Sequence, residues 1–367
     1  MYYDGEVEFS QNKGGYSHVG VYTLNSAAQL KPLEQSLSDA DSAPKLSSPL
    51  TADVSILIVN WNGKEMLRSL LDSIEANRGD LRAQTIVVDN ASADASAEMV
   101  AEEFPQVRLI RNDQNVGFAR ANNQAAKLAE APILILLNND TVVLDESLQT
   151  LVRYLREHPD AIAVGPRTLD SNGNPHSSGR NLPNLSALLH SVHLIKWTRG
   201  SRRSYRAYRE GGRDAGREGP VPQLDAACFA IRRSAFEKCG GFDEGYEFGV
   251  EDVDLCARLA PLGTIYYLPT AQIRHLGRVS SRANRNLVSR GYFCGWARYL
   301  RIHHGRTSAW FYKLVTTLDI PLRLGVLGVR WLKHWERGRA NERKRTTANI
   351  RSLLWFTCTS LPRFWWS

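Results

Sequence analysis

Short apolar runs alternate with stretches of helical periodicity through the first half of the chain. Residues 54–59 form a mostly apolar run of the kind that gives a buried parallel strand. Leu67, Leu70, Leu71 and Ile74 follow it at helical spacing. Because this strand-then-helix unit repeats, we predict an α/β fold with a parallel sheet and helices on both faces. The other predicted strands are 85–88, 107–110 and 133–137.

The regular alternation ends after an apolar run at 162–164. Residues 170–222 are rich in Gly, Pro, Ser and Arg, so we predict a long, mobile, basic excursion there. Further elements are expected at 225–231, from residue 250 and at 264–268. The predicted organisation is a mobile leader over 1–50, an α/β domain over 51–285 that contains the excursion, and a basic helical region over 286–367.

The composition is that of an ordinary globular protein with an excess of positive charge. Of 367 residues, 43% are hydrophobic and 23% are charged, which excludes wholesale disorder. The formal net charge is +8, and Arg and Lys are concentrated in 196–217 and 274–345. Such an excess favours acidic partners. Among these we expect phosphate groups and an anionic membrane surface, and no nucleic acid.

Cysteine usage and the N-terminus both favour a cytoplasmic protein. The five cysteines show no C-x-x-C spacing, so we expect reduced and mostly buried thiols. The N-terminus lacks the pattern of a signal peptide. The most apolar helical stretch, 314–332, contains Asp319, Arg323 and Arg330, which would destabilise a membrane-spanning helix. We therefore predict a soluble protein, or one peripheral to the inner face of the plasma membrane.

Polar side chains stand where three of the predicted strands end. Asn60 and Asn62 follow the first strand, Asp89 follows the second, and the Asn-Asn-Asp run 138–140 follows the fourth. Ligands of open α/β sheets bind beyond the carboxyl ends of the strands, so we expect these residues to surround a ligand. Asn62 and Ser92, taken singly, are also ordinary helix caps.

Asp140 is the most informative of these residues. It follows five consecutive apolar residues at 133–137, and Asn138 and Asn139 beside it also offer oxygen atoms. Mg²⁺ and Mn²⁺ bind proteins through oxygen, often through few carboxylates together with substrate phosphates. We therefore expect Asp140 to bind Mg²⁺ or Mn²⁺. The open alternative is that Asp140 is the N-cap of the following helix.

Several motifs in fixed order carry a family resemblance. The chain has no Walker loop, and no G-x-G-x-x-G follows the first strand, which argues against a P-loop kinase or a dinucleotide enzyme. The motifs of the first half are VSILIVNWN, IVVDNAS, NVGFARANN and LLNND; those of the second half are DAACFAI, GGFDE, EDVD and HLG. Together they resemble family 2 glycosyltransferases of the GT-A type over roughly 53–285. Within that family the chain looks most like the rhamnosyltransferase-like branch, which builds bacterial surface polysaccharides.

The resemblance implies an inverting, metal-dependent transferase. It would move a rhamnose-like sugar or another hexose from a nucleoside-diphosphate donor to a hydroxyl of a glycan or lipid-linked acceptor. Asp89 would accept hydrogen bonds from the donor base or ribose, and Asn60 and Asn62 would lie on the same donor side. Asn115 and Asn122 would shape the nucleotide pocket, although stabilising the helix at 116–128 is an equal alternative.

The resemblance also implies a metal site with one unusual position. The family usually has Asp-x-Asp where this chain has Asn138-x-Asp140, so we expect weaker metal binding, with Asn138 and Asn139 on the donor side. His275 would complete the coordination of the cation, the alternative being a structural histidine. Arg278, together with Arg282, would steady the leaving diphosphate, with a solvated surface as the alternative. These two arginines close the predicted donor site.

Glu251 and Asp252 are predicted to open a helix, where negative side chains are favoured by the helix dipole. Adjacent helical residues point about 100° apart, so only one carboxylate can face the acceptor. The resemblance selects Asp252 as the general base and leaves Glu251 on the acceptor side. The alternative for Glu251 and for Asp254 is stabilisation of the helix start, which we expect for Asp254.

The region beyond 286 has two interpretations. Val288, Tyr292, Trp296 and Tyr299 recur at helical spacing beside many Arg and Lys, which suits either a membrane interface or a helical subdomain packed on the core.

Three other functions fit the sequence less well. A nucleotidyltransferase would need a Gly-rich loop at the first strand, a receiver-like module with Asp89 as phosphoacceptor leaves 225–285 unexplained, and a degenerate transferase would serve as a non-catalytic assembly partner.

Overall fold

The fold is organised around a central β-sheet. The computed structural model describes residues 22–23, 52–176, 178–210, 216–277 and 285–366. In chain order, strands β1 to β13 are Tyr22–Thr23, Val54–Asn60, Ala83–Asp89, Arg108–Arg111, Ile133–Asn138, Thr141–Val143, Ala161–Leu169, Pro175–His176, Gly179–Arg180, Gly219–Pro220, Gln223–Leu224, Cys228–Arg232 and Thr264–His275. Helices α1 to α12 are Lys64–Asn77, Ser96–Glu103, Phe118–Lys127, Ser147–Glu157, Leu185–Leu189, Arg199–Glu210, Arg233–Lys238, Glu251–Leu259, Arg285–His303, Gly305–Glu336, Ala340–Trp355 and Leu361–Trp366.

The sheet has 11 strands, with the path β1-β4-β3-β2-β5-β12-β7-β13-β10 and with β6 and β8 pairing beside it. Strands β4, β3, β2 and β5 are parallel to one another. Strand β12 is antiparallel to both of its neighbours, β5 and β7, while β7 and β13 are again parallel. The predicted α/β fold with a mostly parallel sheet is confirmed, and the first four predicted strands lie where the apolar runs placed them.

Burial on both faces explains why these strands are continuously apolar. In β5, Ile135 and Leu137 pack into the core on one face of the sheet, whereas Leu134 and Leu136 pack into the core on the other. Successive strand residues point to opposite faces, so a strand covered on both sides needs apolar residues at every position. The polar residues that end β5 therefore mark the point where the chain leaves the core.

Strand β13 is longer than the predicted 264–268. Its pairing with β7 shifts register between Leu268 and Gln272, and the strand continues to His275. Past the shift it pairs with β6, so that His275 lies opposite Thr141. Such irregularities re-aim a strand. Here the pairing with β6 brings the end of β13 beside Asp140, the residue that follows β5.

The predicted caps at Asn62 and Ser92 are wrong. Asn62 has a φ of 51° and its side-chain oxygen accepts a hydrogen bond from the Ala93 backbone at 2.7 Å. The Ser92 hydroxyl accepts from the Asn62 backbone at 2.9 Å. The cap of α1 comes instead from Asp94, which accepts from the Lys64 backbone at 2.9 Å. Asn62 and Ser92 join the loops after β2 and β3 because each side chain reaches the other loop's backbone.

The stretch 170–222 contains more structure than its composition suggested. Helices α5 and α6 lie within it, and Leu188, Leu189 and Val192 are buried against the C-terminal helices. Helix α6 has a single buried residue, Ser201. Its apolar periodicity is therefore too weak to be recognised from the sequence.

The C-terminal helices pack on the α/β domain through a third core. Tyr246 and Val250 before α8 and Val253 within it share this core with Tyr299 of α9 and Tyr312 of α10. The interpretation as a packed helical subdomain is thus confirmed for one face of the region. Among the residues that the structure describes, none of the helices has the length and apolar character needed to cross a membrane.

Candidate active site

A cleft of about 1510 Å³ opens where β5, α8 and β13 come together. Its strand-end wall is formed by Asn90, Asn115, Asn138, Asn139 and Asp140. Its helical wall is formed by Leu287, Val288, Tyr292, Phe293, Val326, Leu327 and Leu353 from α9, α10 and α11. Glu251, Asp252 and His275 also line the cleft. Of the residues predicted to surround a ligand at the strand ends, Asn138, Asn139 and Asp140 line the cleft, whereas Asn60, Asn62 and Asp89 do not.

Asp140 and His275 are in direct contact although 135 residues separate them in the sequence. The Nε2 atom of His275 lies 3.0 Å from Oδ1 of Asp140, and the Leu276 backbone donates to the Asp140 carbonyl at 2.9 Å. The pairing of β6 with β13 creates this contact. Strand β6 follows Asp140 directly and α4 begins only at Ser147, so the interpretation of Asp140 as a helix N-cap is wrong.

The chemistry of this pair fits a divalent cation that a substrate helps to bind. One carboxylate and one imidazole are available, and both face a cleft large enough for a nucleotide. Within 52–277 and 285–366, excluding the gaps in the description, no group of three or more His, Cys, Asp or Glu could hold a metal ion. Mg²⁺ and Mn²⁺ commonly use one or two carboxylates with substrate phosphates, so a site of this size matches that mode.

Asn60 lies under the strand-end wall and is fully buried. Its Oδ1 accepts from Nδ2 of Asn139 at 2.7 Å, and its Nδ2 donates to Asp89 and to the Ser92 hydroxyl at 3.2 Å each. Asp89 also accepts from the Ser92 backbone at 2.9 Å. Asn60 and Asp89 therefore hold Asn139 and the two loops in place from beneath the cleft. Asn62, by contrast, is exposed and outside the cleft lining.

A second asparagine network supports the other end of this wall. The Asn90 side chain donates to Asn115 at 3.0 Å and accepts from the Val116 backbone at 3.1 Å. Asn115 thereby reaches the cleft in a fixed position. Asn122 is buried and donates to the Phe118 carbonyl one turn earlier at 3.0 Å, and it does not line the cleft. Its contacts match the alternative of helix stabilisation.

The adjacent carboxylates at the start of α8 have different surroundings. Glu251 turns back to accept from the Val250 backbone at 2.9 Å. Asp252 accepts from the Val253 backbone at 2.8 Å and from the Ala226 backbone at 3.4 Å. Burial raises the pKa of both carboxyl groups, and the Asp252 charge raises the pKa of Glu251 further. A carboxylate with a raised pKa is a better proton acceptor near neutral pH.

Arg180 and Asp225 form an ion pair beside Asp252 that sequence analysis did not single out. The guanidinium of Arg180 lies 2.9 Å from the carboxylate of Asp225. Burial raises the pKa of Asp225 to about 6, with the Arg180 charge acting in the opposite direction. Arg209 of α6 also lines the cleft. Asp225 lies in a motif that the resemblance includes, whereas Arg180 and Arg209 lie in the irregular segment and gave no signal.

Asp254 faces away from the cleft, as expected for a structural residue. It accepts from Tyr246 at 3.1 Å, from His303 at 2.8 Å and from Arg258 at 2.7 Å. These contacts fasten α8 to α9, which is a different stabilising role from the helix-dipole effect predicted for it. Arg278 and Arg282 lie outside the described residues, so their predicted contact with a diphosphate stays a prediction.

The sequence of the chain is similar to a known family and to two rhamnosyltransferases. The model of the family described as Glycosyl transferase family 2 matches residues 55–240. Over 203 residues the chain is 32% identical to the N-acetylglucosaminyl-diphospho-decaprenol L-rhamnosyltransferase of Mycobacterium tuberculosis (strain ATCC 25618 / H37Rv), covering 52% of this chain and 65% of that protein. It is 24% identical over 257 residues to rhamnosyltransferase WbbL of Escherichia coli (strain K12), covering 67% and 92%. The match thus spans slightly less than two thirds of the mycobacterial relative.

A solved structure has a related fold. The mannosyltransferase PcManGT from Pyrobaculum calidifontis, in complex with GDP-Man and Mn²⁺, aligns with a TM-score of 0.50 and 17% identity. The alignment covers 85% of this chain and 88% of that one. At this identity the likeness concerns the arrangement of sheet and helices, including part of the region beyond the family-model match.

Proposed function

The chain belongs to glycosyl transferase family 2, and from that premise we propose that it transfers a hexose from a nucleoside-diphosphate donor to a hydroxyl group of an acceptor. The sugar is rhamnose or a similar hexose, and the acceptor is a glycan or lipid-linked saccharide of a surface polysaccharide. The rhamnosyltransferase relatives support this substrate class. The observation that carries the proposal is the single cleft that holds the Asp140–His275 pair and Asp252 together.

The strand-end wall is the proposed donor side. Asn115, Asn138 and Asn139 present amide groups to the cleft and suit a nucleoside, because amides both donate and accept hydrogen bonds. Asn60 and Asp89 act from beneath by fixing Asn139. A donor placed along this wall has its diphosphate directed towards the far end of β5.

Asp140 and His275 are the proposed ligands of Mg²⁺ or Mn²⁺. When bound, such a cation neutralises negative charge that develops on the leaving diphosphate. Asn138 stands where the family pattern has a second carboxylate, and its oxygen is a weaker ligand. The site therefore depends on the donor's own phosphates for much of the metal affinity.

Asp252 is the proposed general base. It takes the proton of the acceptor hydroxyl as that oxygen attacks the anomeric carbon. The bond from the anomeric carbon to the diphosphate oxygen breaks on the opposite side, so the configuration inverts. The backbone hydrogen bonds from Val253 and Ala226 orient the carboxylate. The resemblance selects Asp252 rather than Glu251 as the base, and the Glu251 carboxylate accepts from the Val250 backbone.

A screen of nucleotide-sugars tests the proposal. Thermal unfolding with each donor, with and without Mn²⁺, is expected to identify one donor class whose stabilisation requires the metal. The same donors are then assayed for slow hydrolysis, which a transferase performs when its acceptor is absent. Binding of a donor without hydrolysis or transfer would support a non-catalytic assembly partner instead. Incorporation of a nucleotide rather than a sugar would support a nucleotidyltransferase.

A further inference from the structure

Helix α10 has two apolar faces, and only one of them is covered. Tyr312 and Ile320 belong to the core between the C-terminal helices and the α/β domain, and Thr316 on the same side is also buried. On another side Leu318, Leu322, Val329 and Leu332 are 60%, 43%, 53% and 50% exposed. Their spacing of four, seven and three residues places them in one stripe along the helix. We call these four residues the exposed stripe.

Aromatic side chains extend the exposed stripe at its ends and side. Trp310 near the start of α10 and Trp335 near its end are 55% and 57% exposed. The Leu194 backbone donates to Asp319 of α10 at 3.1 Å, so the turn that carries the exposed Leu194 and Trp197 borders the same helix. An exposed apolar stripe flanked by tryptophans is typical of an interaction site, and tryptophans suit an interface that is apolar on one side and wet on the other.

The charge around the exposed stripe identifies the partner. Lys333 near the end of α10 and Arg337 just after it are exposed, whereas the acidic residue Asp319 is buried and paired with Arg323. The Lys and Arg residues of 305–366 are Arg306, Lys313, Arg323, Arg330, Lys333, Arg337, Arg339, Arg343, Lys344, Arg345, Arg351 and Arg363, against Asp319, Glu336 and Glu342. Not all of these cations are free to meet a partner, because Lys313 is buried and Arg323 and Arg363 are paired with Asp319 and Glu247. The exposed Arg330, Lys333 and Arg337 close to the stripe repel the same charges of a second copy across a twofold axis and attract anionic lipid headgroups.

The exposed stripe runs into the mouth of the cleft. Val326 lies one turn from Leu322 and from Val329, and it lines the cleft together with Leu327 and Arg330. The apolar surface is therefore continuous from the outside of α10 to the helical wall. A flat partner seated on the stripe would meet the opening of the cleft directly.

We propose that the exposed stripe of α10 docks the protein on an anionic membrane surface, with the helix lying in the plane of the interface. Amphipathic helices of this type bury their apolar face about 5–10 Å into the boundary between headgroups and acyl chains. Lys333 and Arg337 contact the headgroups. The consequence for catalysis rests on the proposed function: the cleft opens at headgroup level, where the phosphates of a lipid-linked acceptor lie.

Flotation of the full chain with lipid vesicles tests the proposal without relying on activity. The wild-type chain is expected to float with vesicles of phosphatidylglycerol and phosphatidylcholine in equal parts, and to bind pure phosphatidylcholine at least about tenfold more weakly. The triple variant Leu318→Ser, Leu322→Ser, Val329→Ser is expected to lose at least about tenfold in binding to the anionic vesicles. None of these three residues lines the cleft.

Charge variants give a matched control. Lys333→Gln with Arg337→Gln is expected to weaken binding by about fivefold for each charge removed. Lys127→Gln with Arg153→Gln removes as much charge from α3 and α4, and is expected to leave binding unchanged. Equal losses in the two pairs would reduce the effect to net charge and overturn the proposal.

Further outcomes would also overturn it. Circular dichroism first establishes that the triple variant is folded. Undiminished flotation of the folded triple variant would exclude the stripe as the docking face. A concentration-dependent dimer that the triple variant abolishes, without vesicle binding in the wild type, would assign the stripe to a second copy. Metal-dependent donor hydrolysis is expected to persist in the variant, so failure of docking and failure of the proposed reaction are separable.

Discussion

The strand-end wall and the helical wall of the cleft differ in how their functional groups are held. On the strand-end wall, Asn139 and Asn115 are each fixed by a buried asparagine behind them, Asn60 and Asn90. On the helical wall, apolar side chains of α9 to α11 face the same space, and the outer face of α10 remains exposed. A pocket preorganised by a hydrogen-bonded core suits a donor of constant shape. A wall of adaptable apolar side chains suits acceptors that vary.

The largest effect is expected from a change of Asp252, which lies in the cleft between the strand-end wall and the helical wall. Asp252→Asn removes the proposed base and is expected to lower kcat by about 10²–10⁴-fold, with little change in donor affinity. Single-turnover transfer and calorimetric donor binding measure the two quantities. Glu251→Gln is the matched control and is expected to lose much less, because Glu251 is held by the Val250 backbone. Equal losses in both variants would contradict the assignment of Asp252.

The next largest effect concerns the donor side alone. Asp140→Ala is expected to weaken Mn²⁺ binding in the presence of the nucleoside diphosphate at least about tenfold. Asn138→Asp restores a second carboxylate and is expected to strengthen it by about tenfold, because a charged oxygen binds a hard cation better than an amide. Titration of Mn²⁺ by electron paramagnetic resonance measures both. Unchanged affinity in Asp140→Ala would remove this residue from the site.

The pH dependence of transfer sharpens the assignment of the base. Burial raises the pKa of Asp252 and of Glu251, so each carboxyl group keeps its proton to a higher pH than in water. A protonated Asp252 cannot accept the acceptor's proton, so activity is expected to fall as the pH decreases through this raised pKa. The acidic limb of kcat should therefore lie above the ordinary carboxyl range of about 4. A limb at or below that range would contradict a buried carboxylate base.

The smallest expected effect contrasts the rigidity of the two regions. Asn60→Ala removes the hydrogen-bond acceptor of the Asn139 amide and one of the two donors to Asp89, and is expected to lower the free energy of unfolding by about 1–3 kcal/mol. Leu318→Ser changes an exposed side chain and is expected to alter that free energy by no more than about 0.5 kcal/mol. Urea denaturation compares the two variants. A similar cost for both would remove the distinction between a fixed wall and an open face.

The parts of the fold that follow from burial could be predicted from the sequence. Strand β5 is apolar at every position from Ile133 to Leu137 because both faces are covered, and that pattern is visible without a structure. The position of Asp140 just after the end of β5 could be predicted from the same apolar run. Its contact with His275 came from the resemblance, because nothing in local sequence announces the register shift that carries β13 on to His275.

Side-chain roles in loops were harder to predict. Asn62 and Ser92 satisfy the pattern of helix caps, yet their partners lie about 30 residues away along the chain. Local spacing cannot distinguish a cap from such a cross-loop bond, because both use the same short polar side chains. Arg180 was missed for a similar reason: its partner Asp225 is brought close by the pairing of β9 with β11, two short strands without apolar periodicity.

The antiparallel pairing of β6 with β13 determines which parts of the chain can change in length without separating Asp140 from His275. Asp140 and His275 stand at the same end of this short hydrogen-bonded ladder, in which Thr141 and His275 are direct partners. Insertions or deletions within 171–222 change the length of chain that connects the two residues. None of the residue pairs of the ladder lies in that segment, so the ladder is unaltered. Segments of that part of the chain that line the cleft can therefore change while Asp140 and His275 stay in contact.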